Sequence, residues 1–165
     1  MKYNHIVRNR TIIQKGVSML TIDNIRKSQM RNAKAQEDIY HAYAVKHGVS
    51  DSFLFLMYVF HEDGDGVTQA EMGQILNVPK QTVNSALKKM ESDGLIYLAN
   101  DEKDKKKKRV FLTETGHKIM RLLIEPLIEA ENMAYESIGQ NKAAMMAELA
   151  RQETDALKEQ IGRIK

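Results

Sequence analysis

Hydrophobic and polar positions recur with helical spacing along most of this chain. Three short helices are predicted in the middle of the sequence, over about residues 52–61, 68–76 and 79–92. Long helices are predicted towards its ends, over about residues 19–46, 114–137 and 142–164. Residues 95–98 and 109–112 instead have the dense apolar composition of short strands. The pattern therefore predicts a mainly α fold that contains one β-hairpin.

Two of the middle helices are joined by a very short turn. The first begins at a capping box, Thr68 with Glu71 three residues later, in which each side chain can satisfy a backbone amide. Asn77 tolerates the left-handed conformation that ends a helix, and Pro79 suits the first turn of the next helix. The sequence predicts a helix-turn-helix whose turn is Asn77, Val78 and Pro79.

The second helix of this pair has an apolar and a polar face. Val83, Ala86, Leu87 and Met90 recur at helical spacing and are expected to face the core. The other face carries mainly amides and hydroxyls, the groups that read base edges in the major groove of DNA. Its candidate DNA-binding residues are Lys80, Gln81, Thr82, Asn84, Ser85 and Lys88. Any solvated helix face is polar, but solubility alone would favour mixed Glu and Lys.

The loop of the predicted hairpin, residues 100–108, is rich in lysine. A cationic loop beside a recognition helix can lie over phosphates or enter a minor groove. The candidate DNA-binding residues of this loop are Lys103, Asp104, Lys105, Lys106, Lys107 and Lys108. Alone, such a run is more typical of a solvated charge cluster or a localisation signal. Thr68 and Gln69, at the N-terminus of the first helix, are further candidate DNA contacts.

Net charge is concentrated in the same region. Residues 80–109 hold nine Lys or Arg against five Asp or Glu, whereas residues 110–165 hold seven against nine. The overall formal charge of +3 therefore arises from the second helix of the pair and the hairpin. Such local positive charge is typical of a surface that binds nucleic acid.

The stretch from Leu76 to Gly116 resembles the winged-helix core of MarR-family transcriptional regulators. The matching segments are Met90–Ile96 (MESDGLI), Asp104–Lys106, Leu112–Gly116 (LTETG) and, upstream, Ile39–Ala44 and Gly48–Asp51. The resemblance covers nearly all of residues 19–165.

This resemblance implies several functional features. In MarR-family wings an Asp-x-Arg motif places an arginine in the minor groove, and by position that arginine falls on Lys106, with Asp104 as its partner. Lysine keeps the charge but lacks the planar fork of arginine, so the neighbouring lysines are expected to bind DNA electrostatically. The resemblance also implies a homodimer and a site for a small phenolic or lipophilic effector between the DNA-binding core and the dimer helices.

The terminal helices carry more apolar surface than a small winged-helix core can cover. A second copy of the chain is the simplest partner that buries it. The predicted organisation is an arm of unknown role over residues 1–18, a dimerisation helix over 19–47, the winged-helix core over 48–113 and further dimerisation helices over 114–165. A two-fold dimer requires a near-palindromic DNA operator with half-sites about 10 bp apart.

Composition and motifs argue against most other chemistry. The chain has no cysteine, which excludes disulfides, thiolate metal sites and thiol redox sensing. Residues 1–18 lack the apolar run of a signal peptide or membrane span, so a cytoplasmic location without membrane association is expected. No catalytic or nucleotide-binding motif is visible. Neither enzymatic activity nor a cofactor is expected.

Two possible metal sites fit the sequence poorly. The Asp-Gly-Asp-Gly run at residues 63–66 resembles part of a calcium loop. If Gly66 takes the invariant glycine position, however, Met72 falls where a bidentate carboxylate is needed. His41 and His117 could meet in a site built from distant segments, although His41 is expected to be a polar interface residue. No metal site is therefore predicted.

These features predict a dimeric, sequence-specific DNA-binding transcriptional regulator. The expected form is a repressor relieved by a small apolar or aromatic effector, since several of the ten methionines could line a pliable pocket. The alternative is a winged-helix protein-interaction module that binds an acidic partner through its lysine-rich wing. DNA binding that depends on the spacing of a palindrome distinguishes the two functions.

Overall fold

The computed structural model describes residues 21–102, 104–105 and 107–164. Its helices are α1 (Ile22–Lys46), α2 (Asp51–Asp63), α3 (Gln69–Ile75), α4 (Lys80–Ser92), α5 (Glu114–Ile138) and α6 (Gln140–Ile161). Its strands are β1 (Val67–Thr68), β2 (Ile96–Asn100) and β3 (Lys108–Leu112). The chain divides into two compact units, and the boundary in the sequence falls between Asp51 and Ser52. The predicted mainly α fold with a winged helix-turn-helix is confirmed.

The turn between α3 and α4 forms where its local signals predict. The Thr68 hydroxyl accepts the Glu71 backbone N–H at 3.2 Å, and the Glu71 carboxylate accepts the Thr68 backbone N–H at 2.7 Å, which completes the capping box. Asn77 has a left-handed φ of 50°. The placement of Pro79 inside the first turn of α4 is wrong by one residue. Pro79 has an extended ψ of 140° and precedes the helix, and its carbonyl accepts the Thr82 N–H at 2.9 Å.

Three antiparallel strands in the order β1-β3-β2 form the wing sheet. The two hairpin strands are longer than their predicted spans of 95–98 and 109–112, because five residue pairs form and the last joins Asn100 to Lys108. Lys108 therefore belongs to β3 and not to the loop. The short strand β1 is absent from the prediction, since two residues have no periodicity. Its pairing with β3 holds the start of α3 beside the wing.

The core of the second unit combines α2 to α5 with one face of the wing sheet. Its fully buried side chains include Leu54, Leu56, Met57, Val59, Met72, Val83, Met90, Val110 and Ile124. The predicted apolar stripe of α4 is buried except at Ala86, which is half-buried. Burial on nearly all sides of α2 matches its nearly continuous apolar sequence.

Asp65 connects the loop before β1 to the wing and to α5. One carboxylate oxygen accepts the Leu112 backbone N–H at 2.9 Å, and the other lies 3.0 Å from Nε2 of His117. Gly66, with a φ of 87°, donates its N–H to the Val110 carbonyl at 2.8 Å. The Asp-Gly-Asp-Gly run is therefore a structural joint, in which both oxygens of Asp65 are engaged.

Thr113 and Gly116 join α5 to the turn between α4 and β2. The Thr113 hydroxyl donates to the Gly94 carbonyl at 2.8 Å and, as the N-cap of α5, accepts the Gly116 N–H at 3.1 Å. The Thr113 N–H donates to the Leu95 carbonyl at 2.9 Å. A Cβ at Gly116 would collide with that same carbonyl oxygen. The LTETG sequence is thus a packing motif in this protein.

The connection between the last two helices differs from the prediction. Gly139 has a φ of 89° and turns the chain within one residue. Its carbonyl accepts the Lys142 N–H at 3.0 Å. Asn141 therefore lies inside α6, which begins two residues before the predicted start at about residue 142.

The long helices are only partly buried. Leu123, Ile124 and Leu127 of α5 are buried, whereas Leu122 and Met133 of the same helix are 76% and 64% exposed. No side chain of α6, whose residues are all described, is buried.

In the first unit, α1 begins later than the predicted Met19. Thr21 is extended and caps the helix by accepting the Asn24 N–H at 3.2 Å, so the first helical residue is Ile22. Across the ranges that the structure describes, no helix combines the length and apolarity needed to cross a bilayer.

Candidate nucleic-acid interface

An open groove of about 660 Å³ lies between α4 and the wing sheet. Its floor is apolar and is formed by Leu87, Ile96, Leu98 and Val110. Its rim consists of Thr68, Gln69, Glu71, Gln74, Lys80, Asn84, Lys88, Glu91, Lys107, Lys108 and Arg109. Five rim side chains are cationic and two are anionic. This α4–wing groove therefore has a net positive rim around an apolar floor.

Helical geometry explains which residues of α4 line this groove. Lys80, Asn84 and Lys88 recur every four residues and form one row beside the wing. The other predicted residues of the helix are Gln81, Thr82 and Ser85. They are exposed on α4 but lie outside the groove. The six predicted residues thus divide into a groove row and a separate exposed patch.

Gln69 ties the start of α3 to the start of α4. Its side-chain amide donates to the Lys80 carbonyl at 3.3 Å. Gln69 and Thr68 both line the groove, as expected if the N-terminus of α3 belongs to the same surface. Their predicted contact with DNA stays a prediction.

Glu71 brings a carboxylate into the groove at the capping box. Its pKa is lowered because the Thr68 backbone N–H and then the Thr68 hydroxyl hydrogen-bond to the charged form. The charges of Arg109 and Lys107 lower this pKa further by smaller amounts, while desolvation opposes the shift. Glu71 thus stabilises the helix-turn-helix at neutral pH and offsets part of the positive charge.

The wing contributes Lys107 and Lys108 to the groove. Asp104 and Lys105 are exposed and lie outside it. Lys103 and Lys106 fall outside the described residues. Their predicted DNA contacts, and the pairing of Lys106 with Asp104, therefore stay predictions.

Arg109 and Asp101 form a contact that the sequence patterns do not single out. The Arg109 Nε donates to the Asp101 carboxylate, and Nη1 donates to the Gly66 carbonyl at 2.7 Å. Asp101 is only 7% exposed. In the sequence, this pair appears only as one acidic and one basic residue that flank the hairpin loop. Among so many neighbouring charges, that signal identifies no particular pair.

His41 and His117, the two candidate metal ligands in the sequence, contact different carboxylates. Nδ1 of His41 lies 3.0 Å from Asp51, within the first unit, whereas His117 contacts Asp65 within the second. The described ranges hold no group of three or more His, Cys, Asp or Glu side chains that could bind a metal ion.

Residues 48–107 match the MarR family model. Two curated proteins are similar over less than half of this chain. The uncharacterized HTH-type transcriptional regulator YybA of Bacillus subtilis (strain 168) is 34% identical over 71 residues, which cover 43% of this chain and 46% of the relative. The transcriptional activatory protein BadR of Rhodopseudomonas palustris is 27% identical over 66 residues, which cover 40% of this chain and 38% of the relative. The chain thus spans less than half the length of these curated relatives.

Solved structures of regulators share the fold over nearly their whole length. NMB1585, a MarR family regulator from Neisseria meningitidis, matches with a TM-score of 0.74 at 20% identity, covering 84% of this chain and 97% of that one. A MarR transcriptional regulator from Methanosarcina mazei Go1 matches with a TM-score of 0.60 at 24% identity, covering 82% and 98%. Residues 48–107 of this chain are thus similar to the MarR family, and the described residues have the same fold as these solved regulators.

Proposed function

We propose that this protein is a sequence-specific DNA-binding transcriptional regulator. The observation that carries the proposal is the α4–wing groove, where a row of α4 and two wing lysines surround one apolar floor. Uncharged hydrogen-bonding side chains suit base edges, whereas exposed lysines suit phosphates. The MarR-family match of residues 48–107 supports the same function.

The geometry suggests that different parts of this surface contact the bases and the backbone of DNA. An α-helix fits the major groove, which is about 12 Å wide. With α4 in that groove, the exposed patch of Gln81, Thr82 and Ser85 faces base edges. The sugar-phosphate backbone beside it then passes along the lysines of the rim, and the wing reaches the adjacent minor groove. The apolar floor at Leu87 and Leu98 suits the deoxyribose face of that backbone.

Fluorescence anisotropy tests this function. Purified full-length protein is titrated into labelled DNA from upstream of its own coding sequence and into a scrambled duplex, each at two salt concentrations. The proposal predicts saturable preference for the native DNA that persists at the higher salt. Equal and strongly salt-dependent binding to both duplexes would contradict it and favour an acidic protein partner for the lysine-rich wing.

We also propose that the protein acts as a homodimer through its terminal helices. Apolar side chains are exposed along α6, at Met145, Met146, Leu149, Leu157 and Ile161. In the other unit, α1 exposes Ile22, Met30 and Ile39. Burying these residues against a second copy removes apolar surface that an isolated chain leaves in water. A dimer also supplies the paired recognition helices that a near-palindromic operator requires.

The regulatory form we propose is repression relieved by a small apolar or aromatic effector. The resemblance to MarR-family proteins supports this mechanism. An effector would change the spacing of the two recognition helices in the dimer and so weaken binding to a palindrome. A reporter gene behind the upstream DNA tests its direction: repression predicts higher expression when the protein is deleted. Lower expression after deletion would instead indicate an activator, the role that the name of BadR gives to that relative.

A further inference from the structure

We propose that Arg109 is a positioning residue for DNA binding, which fixes the wing loop onto the helix-turn-helix and does not itself contact DNA. The inference rests on the proposed function, since it assigns a role within the same DNA-binding surface. It concerns the single arginine of the wing and the nearly buried carboxylate that it contacts.

Arg109 lies in β3, the central strand of the sheet, and reaches both neighbouring loops. Its Nε donates to Asp101 at the start of the wing loop. Its Nη1 donates to the carbonyl of Gly66 in the loop before β1, at 2.7 Å. One planar guanidinium therefore bridges two loops that are separated by more than thirty residues in sequence.

Asp101 also forms hydrogen bonds that stabilise the wing loop itself. Its other carboxylate oxygen accepts the Asp104 backbone N–H at 2.9 Å. The Asp101 N–H donates to the Lys107 carbonyl at 2.9 Å, and the Lys107 N–H donates to the Asp104 carbonyl at 2.8 Å. The Asp101 side chain is only 8% exposed, and a carboxylate with so little contact with water is stabilised by the hydrogen bonds from Arg109 and from the Asp104 N–H. The Arg109 contact thus fixes a loop that is already folded around the same carboxylate.

The Gly66 end of the contact made by Arg109 is connected to the helix-turn-helix. Gly66 donates its N–H to the Val110 carbonyl at 2.8 Å, and the next two residues form β1. Thr68, at the end of β1, caps α3. The contact from Arg109 to Gly66 therefore sets the wing loop relative to the start of the helix-turn-helix. Charge-assisted hydrogen bonds are strong enough to hold such an arrangement, and loss of one partner leaves a charge with little solvent.

This role makes a prediction that is opposite to simple electrostatics. Asp101 is an anion in a surface that binds polyanionic DNA, so its neutralisation should strengthen binding if only net charge matters. If Asp101 and Arg109 position the wing lysines, its neutralisation should weaken binding instead.

The test compares Asp101→Asn with Glu102→Gln in the full-length protein. Both substitutions remove one negative charge, but Glu102 is the exposed neighbour and serves as the matched control. The probes are the duplex from upstream of the coding sequence and the scrambled duplex. Positioning predicts that Asp101→Asn weakens binding to both by about tenfold and lowers the slope of log K against log salt by about 2, since several lysine contacts are lost together. Glu102→Gln should bind as tightly as the wild type or more tightly.

Arg109→Lys provides a second, independent variant. Lysine keeps the charge but cannot hold Asp101 and the Gly66 carbonyl with one rigid fork. Positioning predicts that this variant and Asp101→Asn both bind more weakly. Weaker binding by Arg109→Lys together with tighter binding by Asp101→Asn would overturn the inference, because it would mean that Arg109 contacts DNA directly.

Thermal unfolding and the wild-type titration separate the remaining outcomes. Cooperative melting of both variants, measured by circular dichroism, shows that weaker binding does not result from an unfolded chain. If Asp101→Asn melts below the assay temperature, undiminished binding by a folded Arg109→Lys variant still overturns the inference. Wild-type protein that shows no preference for the native duplex contradicts the proposed function. Wild-type preference with undiminished binding by both variants contradicts only the positioning role.

Discussion

Neighbouring lysines of α4 have different surroundings and should differ in their effect on DNA binding. Lys88 lines the α4–wing groove, whereas Lys89 lies outside it and pairs with Asp93 at 2.7 Å. Lys88→Ala should weaken binding to native and scrambled DNA about equally and reduce the salt slope by about 1, as expected for one phosphate contact. Lys89→Ala is the matched control and should leave both nearly unchanged. Anisotropy titrations at several salt concentrations measure both variants, and equal losses would contradict the assignment.

The capping carboxylate of Glu71 should make stability depend on pH. Its pKa is lower in the folded protein than in the unfolded chain, because the Thr68 backbone N–H and hydroxyl favour the charged form. The contribution is therefore complete above the ordinary glutamate pKa of about 4.3 and is lost as pH falls through the lower folded value. Urea unfolding of wild type and Glu71→Gln between pH 7 and pH 3 measures this effect. The wild-type advantage should be constant near neutrality and shrink in acid, and an advantage that grew in acid would contradict it.

Sequence patterns predict whether a residue is buried or exposed better than they predict which residues surround it. Helical periodicity separates the buried Val83, Leu87 and Met90 from the polar residues of α4. It cannot tell that Asn84 faces the wing while Gln81 does not, because that depends on where a distant hairpin packs. The role of Arg109 escapes prediction for the same reason, since its contact to Gly66 depends on how the strands pair.

At the scale of elements, the joint between α4, β2 and α5 depends on one glycine. A Cβ at Gly116 would collide with the Leu95 carbonyl, so Gly116→Ala should destabilise the fold by about 2–3 kcal/mol through forced backbone movement. Gly73→Ala is the matched control: its Cβ would lie 3.4 Å from the Val78 oxygen, an ordinary contact, and alanine favours a helix.

Urea unfolding of the two variants measures the difference. Gly73→Ala should be neutral, or stabilising by up to about 1 kcal/mol. Equal destabilisation by both substitutions would show that the joint does not explain the requirement at Gly116.

Elements with local signals can be predicted well from sequence, and elements defined by distant partners cannot. The capping box at Thr68 and the left-handed Asn77 fix the helix-turn-helix from a few neighbouring residues. The strand β1 exists only because it pairs with β3, more than forty residues later. At Gly139 one residue serves as both a helix end and a helix start, which places the start of α6 earlier than the sequence predicts.

At the scale of the whole molecule, dimerisation should depend on the apolar row of α6. Met145 and Leu149 lie about one turn apart, as do Leu157 and Ile161, so these residues form an apolar row that winds gradually around the helix. Leu149→Glu should convert the dimer to monomers in sedimentation velocity and weaken binding to the native duplex, since a monomer presents one recognition helix. Ala144→Glu adds the same charge at an exposed position about 140° away from Leu149 around the helix and should remain dimeric. A dimeric Leu149→Glu variant would contradict the assignment of this surface.

Selection of bound duplexes from random-sequence DNA tests the central claim most directly, because it does not require a known operator. Wild-type protein should enrich a near-palindrome whose half-site centres lie about 10 bp apart, as two recognition helices related by a two-fold axis require. Enrichment of a single half-site would contradict the dimeric arrangement. Recovery of unenriched sequences at every round would contradict sequence-specific DNA binding itself.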